Sequence, residues 1–252
     1  MKLGVISLGC DKATVDSERL VGELVGHGAV ITPDLPQADV ILVNTCGFID
    51  AAKQESIDAM LEAAKLKEQG VKAVVAVGCL IQRYKQELTT EIPEVDLMLG
   101  FSELHHLVPE LAKRGLIEDP IATHPGVRQF LGEQTHVRYL KISEGCDHTC
   151  AFCAIPLMRG KHRSEPLARL VREAQVLEAQ GAKEINLVAQ DLGHWGRDLG
   201  LGGIKHRLGT EDSAGWKPAA SHEDTLLVRF WSRSCGFPTC RPRFHVYVAR
   251  PR

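Results

Sequence analysis

The sequence predicts an α/β protein whose first half is an open, mostly parallel sheet with helices on both faces. Two observations carry this expectation. From residue 3 to 115, short apolar runs alternate with stretches of helical period in the rhythm strand, helix, strand, helix. Three of the apolar runs also end alike: VISLGC closes on Cys10, VILVNTC on Cys46 and AVVAVGC on Cys79.

In chain order, Leu3 to Leu8 reads as a buried strand and Ala13 to Gly28 as a helix ended by glycine. Val40 to Val43 is a second strand, followed by a long helix over Asp50 to Gln69 with Gly70 at its end. Ala73 to Val77 is a third strand, then come a helix near Gln82 to Thr89, a strand at Val95 to Leu99 and a helix from Ser102 to Gly115. Ile117 to Gln134 holds Pro120, Pro125, Gly126 and Gly132 with little periodicity and reads as a linker. Val137 to Ile142 opens a second unit, with a covering helix at Leu167 to Gly181 and a strand at Glu184 to Ala189. The expected layout is an N-terminal domain 1–116, a linker 117–136, a second domain 137–200 and an unassigned tail 201–252.

At 252 residues the chain has length for one large or two ordinary domains, and 44% hydrophobic with 25% charged residues is ordinary for a globular protein. Only six residues separate Lys2 from Gly9, too few for a secretion signal. The longest uncharged apolar run, Ala73 to Ile81, falls far short of the roughly 20 residues a bilayer span needs. The expectation is a cytoplasmic protein with no membrane segment. Residues 1 to 200 carry 21 Lys plus Arg against 28 Asp plus Glu, a net of −7, and aromatics make up 5% of the chain. That balance argues weakly against a nucleic-acid enzyme and suits a basic partner.

The carboxyl ends of parallel strands share the sheet edge where ligands bind, so Cys10, Cys46 and Cys79 can converge although 35 and 32 residues separate them. Alternatively, each fills a tight strand-to-helix turn beside Gly9, Thr45 and Gly78. A second set, Cys146, Cys150 and Cys153, lies within eight residues. Its spacing differs from the paired knuckles of structural zinc sites and supplies three ligands where a closed tetrahedral site needs four. Three thiolates can hold three corners of a 4Fe-4S cluster and leave one iron open. Zinc completed by His148 or His162 is the competing reading, and a disulfide is the weakest. His124 and His136 are assigned nothing, and His105 and His106 are read as surface residues. Arg159 reads either as a partner for phosphate or carboxylate or as an exposed side chain.

Cys146-x3-Cys150-x-Phe152-Cys153 resembles the radical S-adenosylmethionine signature, including its aromatic residue. Together with SLGC at 7–10, VNTCGFI at 43–49 and VGC at 77–79, it resembles the methylthiotransferase family from about residue 3 to residue 200. The resemblance implies a partial (β/α) barrel for the second domain and two 4Fe-4S clusters, one on each set of three cysteines. It also implies S-adenosylmethionine bound at the open iron of the second cluster and cleaved to a 5′-deoxyadenosyl radical. Phe152, and Gln190 and Asp191 at the end of the Glu184 strand, are the implied cofactor contacts; Asp191 reads equally well as a turn cap.

NTCGFID at 44–50 and the stretch from Lys141 to Gly160 resemble the branch that methylthiolates an aspartate β-carbon in small-subunit ribosomal protein twelve. This implies that ribosomal protein and an electron donor protein as partners. A tRNA methylthiotransferase ranks second, and an iron-sulfur protein without turnover is the reading from another class. No side-chain acid or base is demanded, since the cofactors carry the difficult chemistry.

The family pattern stops after Asp198-Leu-Gly200. Residues 201–252 carry 7 Arg and 2 Lys against 4 acidic residues, with Trp216, Trp231 and four prolines and little periodicity. They read as a shifted reading frame in which Cys235 and Cys240 are incidental. Six barrel units want roughly 190 residues, against 116 from Val137 on (252 − 136). The expectation is an N-terminal domain that folds alone, a poorly packed tail and little turnover from this chain.

Overall fold

The computed structural model describes residues 1–117, 127–132 and 136–202. The tail reading for 203–252, with Cys235 and Cys240, lies outside the described residues, as does the greater part of the linker reading. Two compact units are present. The first comprises Met1–Leu131 with Phe152–Arg159; the second comprises Gly132–Ala151 with the described residues from Gly160 on.

Unit 1 is a five-stranded, wholly parallel sheet in the order β2-β1-β3-β4-β5, flanked by helices as its alternating sequence predicts. The strands are β1 (Lys2–Ser7), β2 (Val30–Ile31), β3 (Val40–Thr45), β4 (Ala73–Gly78) and β5 (Leu97–Leu99), and the helices are α1 (Asp11–Gly26), α2 (Asp50–Lys65), α3 (Cys79–Glu91) and α4 (Leu107–Lys113). Every residue of β3 and β4 is buried, as expected of parallel strands covered on both sides. Successive residues serve opposite faces. Val40, Leu42, Val75 and Val77 pack with Leu20, Leu24 and Leu111 of α1 and α4. Ile41, Val43, Val74 and Ala76 pack with Met60, Ile81 and Leu88 of α2 and α3. Each fully buried Val, Leu, Ile or Met among them contributes roughly 1.5–3 kcal/mol, so these two layers, not surface ion pairs, hold the unit.

Several element boundaries differ from expectation for local reasons. The strand β2 was not foreseen, because two exposed edge residues carry no period. The helix α3 starts at Cys79 rather than near Gln82, because Gly78 at φ +105° turns the chain straight from strand into helix. The stretch from Ser102 opens as a 3-10 turn, Phe101–His106, and becomes α-helical at Leu107. Pro109 sits in the first turn of α4, where its missing N–H costs no hydrogen bond. The long second helix is α-helical to Lys65 and ends as a 3-10 turn, Leu66–Gln69, closed by left-handed Gly70.

Residues 127–131, expected within the linker, pack on unit 1. Arg128 and Glu18 form a buried ion pair, with Nε donating to Oε2 at 2.6 Å and side chains 5% and 2% exposed. The Gln129 N–H donates to the Glu18 carbonyl at 3.1 Å. Gly22 of α1 makes room for the strap, since a Cβ there would lie 2.5 Å from the Val127 carbonyl oxygen.

Unit 2 contains a parallel pair, β6 (Val137–Lys141) with β9 (Glu184–Val188), and an antiparallel pair, β7 (Ser143–Glu144) with β8 (Arg163–Ser164). A helix from Leu167 to Ala179 packs Leu170, Ala174 and Leu177 against Leu140, Ile185 and Leu187. The short helix α5 (Ile155–Arg159) precedes it in sequence and belongs to unit 1; the Leu167 helix is α6. The strand-helix-strand order of β6, α6 and β9 is that of a barrel's first repeat.

Removing one partner of a buried pair strands the other charge, so Arg128→Ala should cost about 3–5 kcal/mol. Denaturant unfolding of Arg128→Ala and of Lys113→Ala checks this. Exposed Lys113 pairs, among the described residues, with half-buried Glu110 three positions earlier on the same helix, and its loss should leave the midpoint nearly unchanged. Equal midpoints for the two variants would remove the strap from the account of stability.

Candidate metal centres

The parallel register sets the first site. Ser7 is level with Asn44, and Thr45 with Gly78, so the residues that follow β1, β3 and β4 leave the same sheet edge side by side. Cys10, Cys46 and Cys79 are those residues, and all are free thiols. Neighbouring strands lie about 4.8 Å apart, which brings three cysteines distant in sequence to one edge. A Cβ on Gly9 would stand 3.4 Å from the Cys46 sulfur, and one on Gly47 would stand 3.2 Å from the Cys79 carbonyl carbon, so the turns that carry the three cysteines pack against one another. Cys10 precedes α1 and Cys79 opens α3.

The residues around Cys46 each hold one part of this edge. Asn44 Nδ2 donates to the Ala13 carbonyl and to Ser17 Oγ, both at 2.8 Å, fixing the start of α1 and so Cys10. Thr45 Oγ1 donates to the Val77 carbonyl at 2.6 Å, locking β3 to β4 just before Cys79. The Cys46 N–H donates to Ser56 Oγ of α2 at 2.9 Å. Glycine is required at two neighbouring points. A Cβ on Gly9 would stand 3.2 Å from Cys46 Cβ and 3.4 Å from its sulfur, and one on Gly78 would stand 2.4 Å from Asn44 Oδ1. These close approaches leave the sulfurs space that side chains would fill, and three soft thiolates suit an iron-sulfur cluster. Burial pushes the Cys79 thiol up, and the guanidinium of Arg159 works against that rise.

Arg159 is not exposed, correcting one of the two sequence readings. Its side chain is 2% exposed and Nη1 donates to Asp16 Oδ2 at 2.6 Å. Periodicity gives no warning of this, since the pair joins residues 143 positions apart.

Of the second set, Cys146 and Cys150 belong to unit 2 and Cys153 to the Phe152–Arg159 segment of unit 1. Their spacing along the chain ties them together. The Cys146 N–H donates to the Gly160 carbonyl at 3.1 Å. Gly145 has φ +74°, and a Cβ there would fall 2.0 Å from the Lys161 carbonyl oxygen, so the loop closes only over glycine. Phe152 is 83% exposed.

In unit 2, Asp191 caps the turn Leu192–His194 by accepting from the Gly193 N–H at 2.8 Å. Its Oδ2 also pairs with His148 Nε2 at 2.6 Å and His194 Nδ1 at 2.5 Å. One ring nitrogen of His148, a candidate fourth zinc ligand, thus faces a carboxylate. Burial raises the Asp191 carboxyl, but the two imidazoles and the backbone N–H outweigh it and leave it below the usual carboxylate range. Gln190 Oε1 is buried without a hydrogen-bond partner, an acceptor suited to an ammonium donor. His194 was missed from the sequence, where a lone histidine three residues after Asp191 gives no signal. His162 points its Nε2 to Ser164 Oγ at 3.1 Å.

Gly78→Ala should destabilise unit 1 by at least about 1–3 kcal/mol from its backbone conformation alone and lower iron uptake. Denaturant unfolding with iron analysis tests this, and an unchanged iron-to-protein ratio would detach Gly78 from the site. Because the folded carboxyl is depressed, Asp191 stabilises unit 2 fully above the ordinary value of 3.8 and loses that contribution as pH falls through its lower folded value. Carboxyl NMR should show it titrating below 3.8; a midpoint above that would refute the network.

Residues 2–100 match the family described as Uncharacterized protein family UPF0004. The chain is similar to ribosomal protein uS12 methylthiotransferase RimO of Sulfurihydrogenibium sp. (strain YO3AOP1), 48% identical over 199 residues, covering 79% of this chain and 44% of the relative. It is 49% identical over 199 residues to the same enzyme of Anaeromyxobacter sp. (strain Fw109-5), covering 77% and 42%, and 47% identical over 199 residues to that of Aquifex aeolicus (strain VF5), covering 79% and 43%. The chain thus spans less than half the length of these relatives. Its fold is similar to the radical S-adenosylmethionine methyltransferase TsrM from Kitasatospora setae, solved with cobalamin and a [4Fe-4S] cluster, at 11% identity and TM-score 0.53 over 76% of this chain and 48% of that one. On these matches residues 2–100 carry a UPF0004 domain, and over 77–79% of its length the chain is similar to curated ribosomal protein uS12 methylthiotransferases.

Proposed function

We propose that this chain carries the cluster-binding portion of a radical S-adenosylmethionine methylthiotransferase acting on an aspartate β-carbon of small-subunit ribosomal protein uS12. The observation that carries the reading is the gathering of Cys10, Cys46 and Cys79 on one edge of a parallel sheet in a chain with a second three-cysteine loop. Cys10, Cys46 and Cys79 would hold one 4Fe-4S cluster, and Cys146, Cys150 and Cys153 another. When bound, the clusters and S-adenosylmethionine supply radical chemistry at an unactivated carbon and the sulfur that is transferred.

The protein's own residues orient and shield. The unpartnered Gln190 Oε1 would accept from the amino group of S-adenosylmethionine, with Asp191 held beside it in sequence by two imidazoles and a backbone N–H. Phe152 offers an open aromatic face for the cofactor's ring. The acidic first 200 residues suit a basic ribosomal protein over tRNA. An electron donor protein and a cytoplasmic setting, where thiols stay reduced, complete the reading. Among the described residues no helix is long and apolar enough to cross a membrane.

Anaerobic reconstitution should load about eight irons per chain at full occupancy. Cys150→Ala should halve this, and Cys46→Ala should remove the other half. Stoichiometric zinc without labile sulfide would end the iron-sulfur reading. For the substrate, mass spectrometry of ribosomal proteins and digested tRNA from a strain lacking the intact protein should show methylthio loss on uS12. Loss from tRNA alone would reverse the assignment.

A further inference from the structure

We propose that Arg159 is a positioning residue for the first metal centre, a buried cation built in beside the Cys79 sulfur to offset the charge of a thiolate-held cluster. The inference rests on the reading that Cys10, Cys46 and Cys79 hold such a cluster.

Arg159 ends α5, six residues after Cys153, and three elements of unit 1 hold it. Asp16 of α1, itself buried, pairs with Nη1 at 2.6 Å. The Phe101 ring, just after β5, lies beneath the guanidinium with 4.4 Å from its carbon to the ring centroid. Helix α3, which Cys79 opens, packs on α5, and the guanidinium bears on the Cys79 sulfur there.

An arginine buried for stability alone needs one carboxylate and an aromatic face, and Asp16 and Phe101 already supply both. The third contact is what a structural pair leaves unexplained. Guanidinium presents its N–H donors as a planar fork, so Asp16 and the sulfur can be served at once. The carboxylate thereby aims the fork. A cluster on three thiolates is anionic and becomes more so on reduction, and donors to its sulfurs together with nearby cations are the protein's means of tuning it. Because Arg159 lies on the segment that begins at Phe152, the chain that supplies Cys153 to the second set also supplies the counter-charge of the first.

The test uses the 252-residue chain carrying Cys150→Ala, so that only the first centre loads. Iron, labile sulfide and the reduction midpoint are measured for this protein and with Arg159→Gln, Arg159→Lys or Asp16→Asn added. A nearby positive charge favours the reduced cluster. Arg159→Gln should therefore shift the midpoint down, Asp16→Asn should shift it up, and Arg159→Lys should recover part of the Arg159→Gln loss. A purely structural pair predicts no such opposition: midpoints that move the same way, or do not move, overturn the inference while leaving the cluster reading intact. If Arg159→Gln fails to fold, the near-isosteric Asp16→Asn decides alone, an upward shift supporting the inference and an unmoved midpoint sinking it. Absence of iron and sulfide in the Cys150→Ala protein would overturn the cluster reading and this inference with it.

Discussion

Everything at the first centre depends on the register between β1, β3 and β4. Because the strands are parallel, their carboxyl ends face one way, and because Thr45 is level with Gly78, the cysteines that follow emerge together. A slip of one residue between β3 and β4 would turn β3's side chains to the opposite faces, exchanging the two apolar layers. Core packing therefore enforces the same alignment that the thiols need. The hydrogen bonds of Asn44 and Thr45 tie α1 and β4 to that register from within a single tripeptide, which is why the stretch Asn44-Thr45-Cys46 carries so much of the local architecture.

Most of this was legible in the sequence, because it is local or periodic. Buried parallel strands read as apolar runs, helices as amphipathic stretches with glycine stops, and cysteines at equivalent strand ends declare a shared edge. What escaped was settled by side chains distant in sequence. Nothing near Arg159 announces a partner 143 residues away, nor does Arg128 reveal Glu18 at 110. The two-residue strand β2 is fixed by the edge of β1 rather than by its own pattern. His194 gains its place only through the turn that Asp191 caps. The candidate thiols were thus visible from the chain, and their electrostatic surroundings were not.

Those surroundings converge on α1. Asp16 and Glu18 are both buried acids on this helix, and each receives an arginine delivered from far along the chain. Buried pairs of this kind contribute little net stability against an apolar alternative, but are costly to break singly. Their effect is to make the helix that begins beside Cys10 sensitive to whether later segments have docked.

That arrangement bears on modularity. The chain builds unit 1, leaves it after Leu131, returns for the eight residues Phe152–Arg159 and leaves again. A boundary drawn by homology at residue 100, or by composition near 116, would enclose all three thiols of the first centre and still omit Arg159, whose charge bears on one of them. The three candidate thiols are therefore contiguous with the N-terminal sheet while their surroundings are not, and transplanting that sheet as a cassette would carry the cysteines without the charge that accompanies them.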